Sequence, residues 1–397
     1  MIVIAQWRQI LRLVLLGLLS LIMAACATPG LRGTGDLGVV VERASGSLLL
    51  VNTSLRQPYA QVTGLGDLSH ASVVYSRDAR FAFVFGRDGG LTKVDLLEAR
   101  IVKRIMQSGN AIGGSISQDG KIVVAQNYTP GGIKAFDAES LELLSEVPAE
   151  YLPGKFSKVV GLADVPGNKF AYALFDADQI WVTDFSNPRQ PVTQRFPAGR
   201  APYDGLVSPD GRFYLAGLFG EDGIALLDVW QPEQGVRKIL TNYGRGEEKL
   251  PVFKMPHLRG WSLAGGRAWL PAIGRHEVLV AETSHWKETS RIAVKGQPVF
   301  VMASPDGRQV WVNFAFPDNG WVQVIDTLTG KLIKTLQPGK AILHMEFTPR
   351  GEQVWLSARD DNRVTIIDTR SFETVGGFEA AAPSGIFFTN RAGRIGF

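Results

Sequence analysis

The feature that most constrains this chain is a pattern that returns every 42 to 54 residues. A short apolar run closes on an acidic or amide residue eight times: Val51-Asn52, Val94-Asp95, Phe136-Asp137, Thr183-Asp184, Leu227-Asp228, Ala281-Glu282, Ile325-Asp326 and Ile367-Asp368. A tight-turn signal precedes several of these runs, as in Ser304-Pro305-Asp306-Gly307 and Ser208-Pro209-Asp210-Gly211. Between Ser304 and Leu336 the whole unit is legible. Gln309 to Asn313 and Trp321 to Ile325 read as strands, and Thr329-Gly330 turns the chain into a third run, Lys331 to Leu336. Apolar alternation bounded by Gly, Pro, Asn and Asp is the hairpin signature. A period of this length with short strands predicts an all-β, eight-bladed β-propeller, whose blades bury their faces only by stacking radially.

The first copy lacks an innermost strand. Val39 to Glu42 and Ser47 to Val51 have nothing before them but a leader, so Ser384 to Thr389 at the other end is expected to complete that blade. N- and C-terminal strands closing one blade leave no exposed sheet edge. A β-sandwich, or several separate β domains, would not need so regular a period.

The leader reads as a lipoprotein signal peptide over residues 1–25. Arg8 and Arg12 form a positive start, Leu13 to Met23 is apolar, and Ala24-Ala25 precedes Cys26, the chain's one cysteine. The stretch Leu21 to Cys26 resembles a bacterial lipobox, which implies diacylation of Cys26 and a periplasmic, membrane-anchored protein. Met23 departs from the usual residue at its place, which leaves ordinary cleavage open, as well as a retained anchor helix. Ala27 in place of Asp points to the outer rather than the inner membrane. Residues 26–37 form a flexible tether and 38–397 the propeller. One cysteine excludes disulfides within the chain and a Cys-x-x-Cys-His haem attachment. The net charge is +4, of which Arg8 and Arg12 supply two, too little to indicate nucleic acid as a partner.

Few residues could carry chemistry. The five histidines, His70, His257, His276, His285 and His344, show no metal-site spacing, and no nucleophile elbow, phosphate loop or dinucleotide fingerprint is present. Single histidines, arginines and aromatics suit a large, planar, anionic ligand better than hydrolysis. His276, His285 and His344 read as surface or satisfied polar residues, and the Asp that closes each run as a turn cap. The irregular stretches, Glu150 to Lys158 and Asn242 to Gly260, are the long loops, which in repeat proteins gather on the binding face.

The stretch Gly66-Asp67-Leu68-Ser69-His70-Ala71-Ser72, followed by Gly86-Arg87-Asp88 and Lys93-Val94-Asp95-Leu96, resembles the haem d1 domain of cytochrome cd-type nitrite reductases. The resemblance spans most of residues 38–378. With the leader included, it extends to haem d1 biosynthesis proteins related to that domain. It implies an eight-bladed propeller with haem d1, or a late precursor, in its central mouth. By the same resemblance His70 stands at the axial iron ligand, and Arg43 and Arg87 at arginines that bind the macrocycle's carboxylates. His257, in Lys254-Met255-Pro256-His257-Leu258-Arg259-Gly260, matches one of the reductase's two distal histidines. Tyr203-Asp204 stands where the second would be, which argues against nitrite reduction. The implied partners are the tetrapyrrole ligand, other periplasmic haem d1 assembly proteins and the nitrite reductase itself. Two readings follow: an enzyme that modifies a precursor, for example by oxidation, with His257, Tyr203 or Asp204 as acid or base, and a carrier that hands the ligand on. A propeller for surface adhesion with no ligand is the third.

Overall fold

Strands of three to eight residues, most of them five to seven, pair into antiparallel four-stranded sheets, all but one pairing between sequence neighbours. The computed structural model describes residues 33–244 and 260–396. Among them are eight such sheets and one extra two-stranded hairpin. Blade 1 holds the strands Leu37–Glu42, Ser47–Asn52 and Gln57–Val62, and blades 2 to 8 follow in chain order, beginning at Ser72, Asn110, Val159, Pro202, Ser262, Pro298 and Ile342. The strand Pro383–Phe388 completes blade 1 on its inner side, in the register Gly38↔Phe388 and Val40↔Ile386. The expected closure of the ring by both ends of the chain is therefore what the fold uses.

Each blade is apolar on both faces and buries them against its two neighbours. The buried hydrophobics fall into eight clusters, one per seam. Leu50 and Val73 share the cluster between blades 1 and 2, and Trp355 and Ile386 the one between blades 8 and 1. At that last seam the fully buried Trp355 ring meets Phe388 at 5.2 Å and Phe378 at 5.6 Å. Tyr75 of blade 2 donates its hydroxyl to the Phe387 carbonyl at 2.6 Å, tying the closing strand to the next blade.

The recurring residues act as turn chemistry. Ser304 Oγ bonds Asp306 Oδ1 at 2.6 Å and accepts from the Gln309 N–H at 3.1 Å, and Gly307 takes the positive φ of 69° that the hairpin needs. The residue that closes each run, Asp in six blades, ends the third strand of its blade, where the Asp carboxylate caps the next turn. Asp95 Oδ1 accepts the N–H groups of Leu97 and Glu98 at 2.9 and 3.1 Å, and its other oxygen binds Arg80 at 2.7 Å. Burial works to raise the Asp95 pKa, but the Arg80 hydrogen bond and the two amides outweigh it and hold the carboxyl below its ordinary value of 3.8. A depressed folded-state pKa stabilises above the unfolded value and is lost as the pH falls through the folded one. Asp95→Ala is therefore expected to cost about 1.5–3 kcal/mol at pH 7. Urea unfolding at pH 7 and pH 3 should show the difference from the parent shrinking at the acid end. An unchanged difference would rule out the charged cap.

Strand direction gives the ring two unlike ends. Inner strands begin on one face, here the upper, and end on the other. Second strands run back up, so the loops that follow Glu42, Phe85 and Thr129 also lie on the upper face. The extra hairpin, Glu150–Leu152 paired with Lys155–Phe156, rises there too, in one of the stretches expected to be irregular. On the lower face, the chain after Phe388 turns through Thr389–Gly393 and crosses the end of the channel. Arg77 of blade 2 donates to the Ala392 carbonyl at 2.5 Å, Arg391 binds Glu346 of blade 8 at 2.8 Å, and the Gly396 N–H reaches Asp164 of blade 4 at 3.0 Å.

Candidate functional site

With a tail crossing the lower end, the upper mouth is where the expected residues must be sought. Five of the seven fall within the described residues. Cys26 and His257 lie outside them, as does most of the long loop between blades 5 and 6.

Arg43 follows the second strand of blade 1, and Arg87 follows that of blade 2. Both are half-buried on the upper face. Their acidic neighbours are engaged elsewhere. Glu42 is buried, accepting from Ser47 at 2.7 Å, Gln61 at 2.6 Å and the Ala381 N–H at 2.8 Å, while Asp88 binds Arg104 at 2.6 Å. Neither Arg43 nor Arg87 therefore forms an ion pair with its acidic sequence neighbour. The charges of both arginines act on Asp67. Its carboxyl is held below the ordinary range first by hydrogen bonds from the Ser69 side chain and N–H, then, against burial, by the charges of Arg87 and Arg43. The Arg87 N–H also donates to the Asp67 carbonyl at 2.8 Å, which ties the 63–71 loop to blade 2. His70 stands on that loop, exposed at the rim.

Across the mouth, Tyr203 and Asp204 open the inner strand of blade 5. A β-bulge falls between Tyr203 and Leu206, and Asp204 takes φ 59°, a left-handed conformation that Asp tolerates. The inner strands of blades 4 and 5 approach closely there, because Gly161 and Gly205 face each other and a Cβ on either would strike the other's backbone. Tyr203 forms an edge-to-face pair with Phe175 at 5.8 Å, and Tyr128 of blade 3 bonds it hydroxyl to hydroxyl at 2.7 Å. The Arg87 guanidinium lies 5.6 Å from the centre of the Tyr128 ring. Burial raises both phenols' pKa values and Asp204 reinforces this, while Arg87 opposes it. Both hydroxyls are therefore neutral donors at pH 7.

The upper face thus links Asp67 to Arg87, Arg87 to Tyr128 and Tyr128 to Tyr203, with Arg43, His70 and Asp204 on the same face. Such a set offers cations and neutral donors for carboxylates, an imidazole for a metal, and in Asp204 a carboxylate for a proton. Ser72 Oγ and Asn110 Oδ1, at the upper ends of the inner strands of blades 2 and 3, are buried atoms with no hydrogen-bond partner. Tyr128 and Asp67 were not singled out from the sequence. The signal for Tyr128 was its phase in the repeat: Arg43, Arg87 and Tyr128 are 44 and 41 residues apart, at matching places in successive blades.

The other histidines differ in setting. His276 and His285 are exposed, and His285 lies 3.3 Å from Glu282. His344 lies among Phe300 and Phe387, with Nδ1 accepting the Ile386 N–H at 3.2 Å, and burial lowers its pKa to about 4.

The chain belongs to the cytochrome D1 haem-domain family, whose model, Cytochrome D1 heme domain, matches residues 32–392. Two of its relatives are NirF proteins. It is 56% identical over 382 residues to Protein NirF of Pseudomonas aeruginosa, covering 96% of this chain and 97% of that one. It is 56% identical over 392 residues to Protein NirF of Stutzerimonas stutzeri, covering 98% and 99%. Among solved structures, dihydro-heme d1 dehydrogenase NirN in complex with DHE superimposes with a TM-score of 0.81 at 25% identity, covering 92% of this chain and 78% of that chain.

Proposed function

We propose that the upper mouth binds haem d1 or a late tetrapyrrole precursor, and that the chain serves haem d1 biosynthesis in the periplasm, held to the membrane through Cys26. The observation that carries this reading is that Arg43 and Arg87, each just after the second strand of its blade, stand half-buried on the upper face beside the loop that bears His70, in a chain of the cytochrome D1 haem-domain family. A structural relative in complex with DHE supports it. The residues fit the group. Arg43 and Arg87 suit the carboxylates on the macrocycle's edge, which arginine binds through two parallel hydrogen bonds. Ser72 Oγ and Asn110 Oδ1 are buried polar atoms in want of a partner on the same rim. Neutral imidazole is a good iron ligand, which is the role of His70. An iron tetrapyrrole held there supplies the redox chemistry. Asp204 is the group positioned to take a proton, with Tyr203 and Tyr128 as neutral donors.

The proposed chemistry is a late modification of the precursor. The second reading, a carrier that hands the ligand to another assembly protein or to the nitrite reductase, is favoured by the exposure of His70 at the rim. One set of variants separates them when bound ligand and finished haem d1 are scored independently in denitrifying cells. His70→Ala is expected to change the absorption spectrum of the bound tetrapyrrole. Asp204→Ala and His257→Ala are expected to leave that spectrum in place. For an enzyme they should lower the rate of product formation by ~10²–10⁴-fold, the usual contribution of a positioned acid or base. Loss of haem d1 with His70→Ala alone identifies the carrier. If all three variants are silent in both measurements, the site is elsewhere.

A further inference from the structure

The connector that carries His70 is longer than most. Residues 63–71 join blade 1 to blade 2, nine residues where the connectors after blades 2, 4, 6, 7 and 8 have three to five. It forms neither helix nor strand, so its backbone groups take their partners from outside it. Leu65 and Leu68 are each 1% exposed and pack into the seam between blades 1 and 2. His70, two residues beyond Leu68, is left exposed.

The polar ties come from blade 2. The Arg104 side chain reaches in from the outer strand, Arg100–Met106, and donates through Nε to the Leu65 carbonyl at 3.1 Å. Its Nη2 binds Asp88 Oδ2 at 2.6 Å. Asp88 stands in the turn after the second strand, and the same oxygen accepts the Asp67 N–H at 3.2 Å. The other oxygen accepts the Gly90 N–H at 2.9 Å, which fixes the carboxylate to its own turn. One ion pair thus holds the connector's backbone at two points, on either side of Gly66. Gly66 takes φ 83°, and a Cβ there would strike both the guanidinium and the Asp88 carboxylate. Two more bonds complete the frame. The Leu65 N–H donates to the Gly46 carbonyl at 3.1 Å, and Asp67 Oδ1 accepts the Ser69 N–H at 2.8 Å, next to His70.

We infer that Arg104 and Asp88 are positioning residues for His70, and that their ion pair sets the connector in its ligand-ready shape before any tetrapyrrole arrives. This rests on the role proposed above for His70 as the iron ligand. An imidazole on a loose nine-residue connector would be ordered at the expense of affinity. A connector already tied at its base loses little freedom when the ligand binds, and the imidazole keeps one orientation.

The test compares the full chain with Arg104→Ala, Arg104→Lys, Gly66→Ala and His70→Ala. Without ligand, amide hydrogen exchange over residues 63–71 is expected to rise by roughly tenfold in Arg104→Ala, the effect of losing a charge-assisted tie on local opening, with the blade strands unchanged. With ferric haem d1 added, the absorption spectrum of Arg104→Ala is expected to be a mixture of the parent and His70→Ala spectra. Gly66→Ala, which forces the pair aside while keeping both its residues, should give the same mixture. Arg104→Lys, which keeps a cation beside Asp88, should recover part of the parent spectrum. A parent spectrum with unchanged exchange in Arg104→Ala overturns the inference, even if the protein is less stable. Weaker binding with a parent spectrum overturns it too, because Arg104 then acts on the ligand directly. If His70→Ala itself keeps the parent spectrum, His70 does not bind the iron, and that reading falls together with this inference.

Discussion

Arg87→Ala is expected to weaken tetrapyrrole binding by roughly ten- to a hundredfold, the equivalent of a lost charge-assisted hydrogen bond at about 1.5–3 kcal/mol. Arg43→Ala should do the same. Both arginines are half-buried on the upper face, and both act on Asp67. In the absence of ligand, their charges balance that carboxylate in part. With ligand, they would turn to the macrocycle's carboxylates. The absorption spectrum of whatever ligand still binds should be unchanged, because neither residue supplies an iron ligand. Arg100→Ala is the control. It removes an exposed cation of blade 2, paired with Glu98 at 2.6 Å at the lower end of the outer strand, and it should leave affinity within about threefold, the equivalent of about 0.7 kcal/mol. Equilibrium titration followed by absorbance checks all three. A spectrum that changes at constant affinity in Arg43→Ala or Arg87→Ala would contradict the carboxylate role.

The largest stability effect is expected at the seam where the two ends of the chain meet. Trp355 is fully buried there against Phe378 and Phe388, the last residue of the closing strand. Trp355→Ala should cost about 3–5 kcal/mol, the range for large aromatic truncations in a packed core. Trp230→Ala, at a turn tip where the ring is 58% exposed, should fall within about 0.5 kcal/mol of the parent. Urea midpoints at neutral pH measure both. A small loss at Trp355 would mean that blades 8 and 1 are not packed in solution and that the ring is open.

What the sequence made legible follows from which interactions are local. The Asp or Asn that closes each third strand caps a turn two or three residues on, so its spacing reports the blade period directly. Asn52, Asp326 and Asp368 all bond backbone amides within three residues. Ring closure was readable for a related reason: an unpaired first blade at one end and an unassigned strand at the other have one way to satisfy their backbone groups. The site was only partly readable. Arg43, His70, Arg87, Tyr203 and Asp204 were reached through resemblance, and the fold brings the two arginines and the Tyr203-Asp204 pair to one mouth. Tyr128 depends on Tyr203, 75 residues away, and no local pattern records that contact. The extra hairpin at Glu150–Phe156 and the tail across the lower end escaped for the same reason. Arg77 looks like an ordinary turn residue until Ala392 is placed against it.

A tetrapyrrole on its way to haem d1, bound in the upper mouth, should travel with the chain through purification. The most direct measurement is to purify the full chain from denitrifying cells that lack the final reductase and to identify by mass spectrometry what comes with it. The expected result is haem d1 or a late precursor, bound at about one per chain and absent from the Arg43→Ala, Arg87→Ala double variant. A chain that carries no tetrapyrrole, or a double variant that carries as much as the parent, would contradict it.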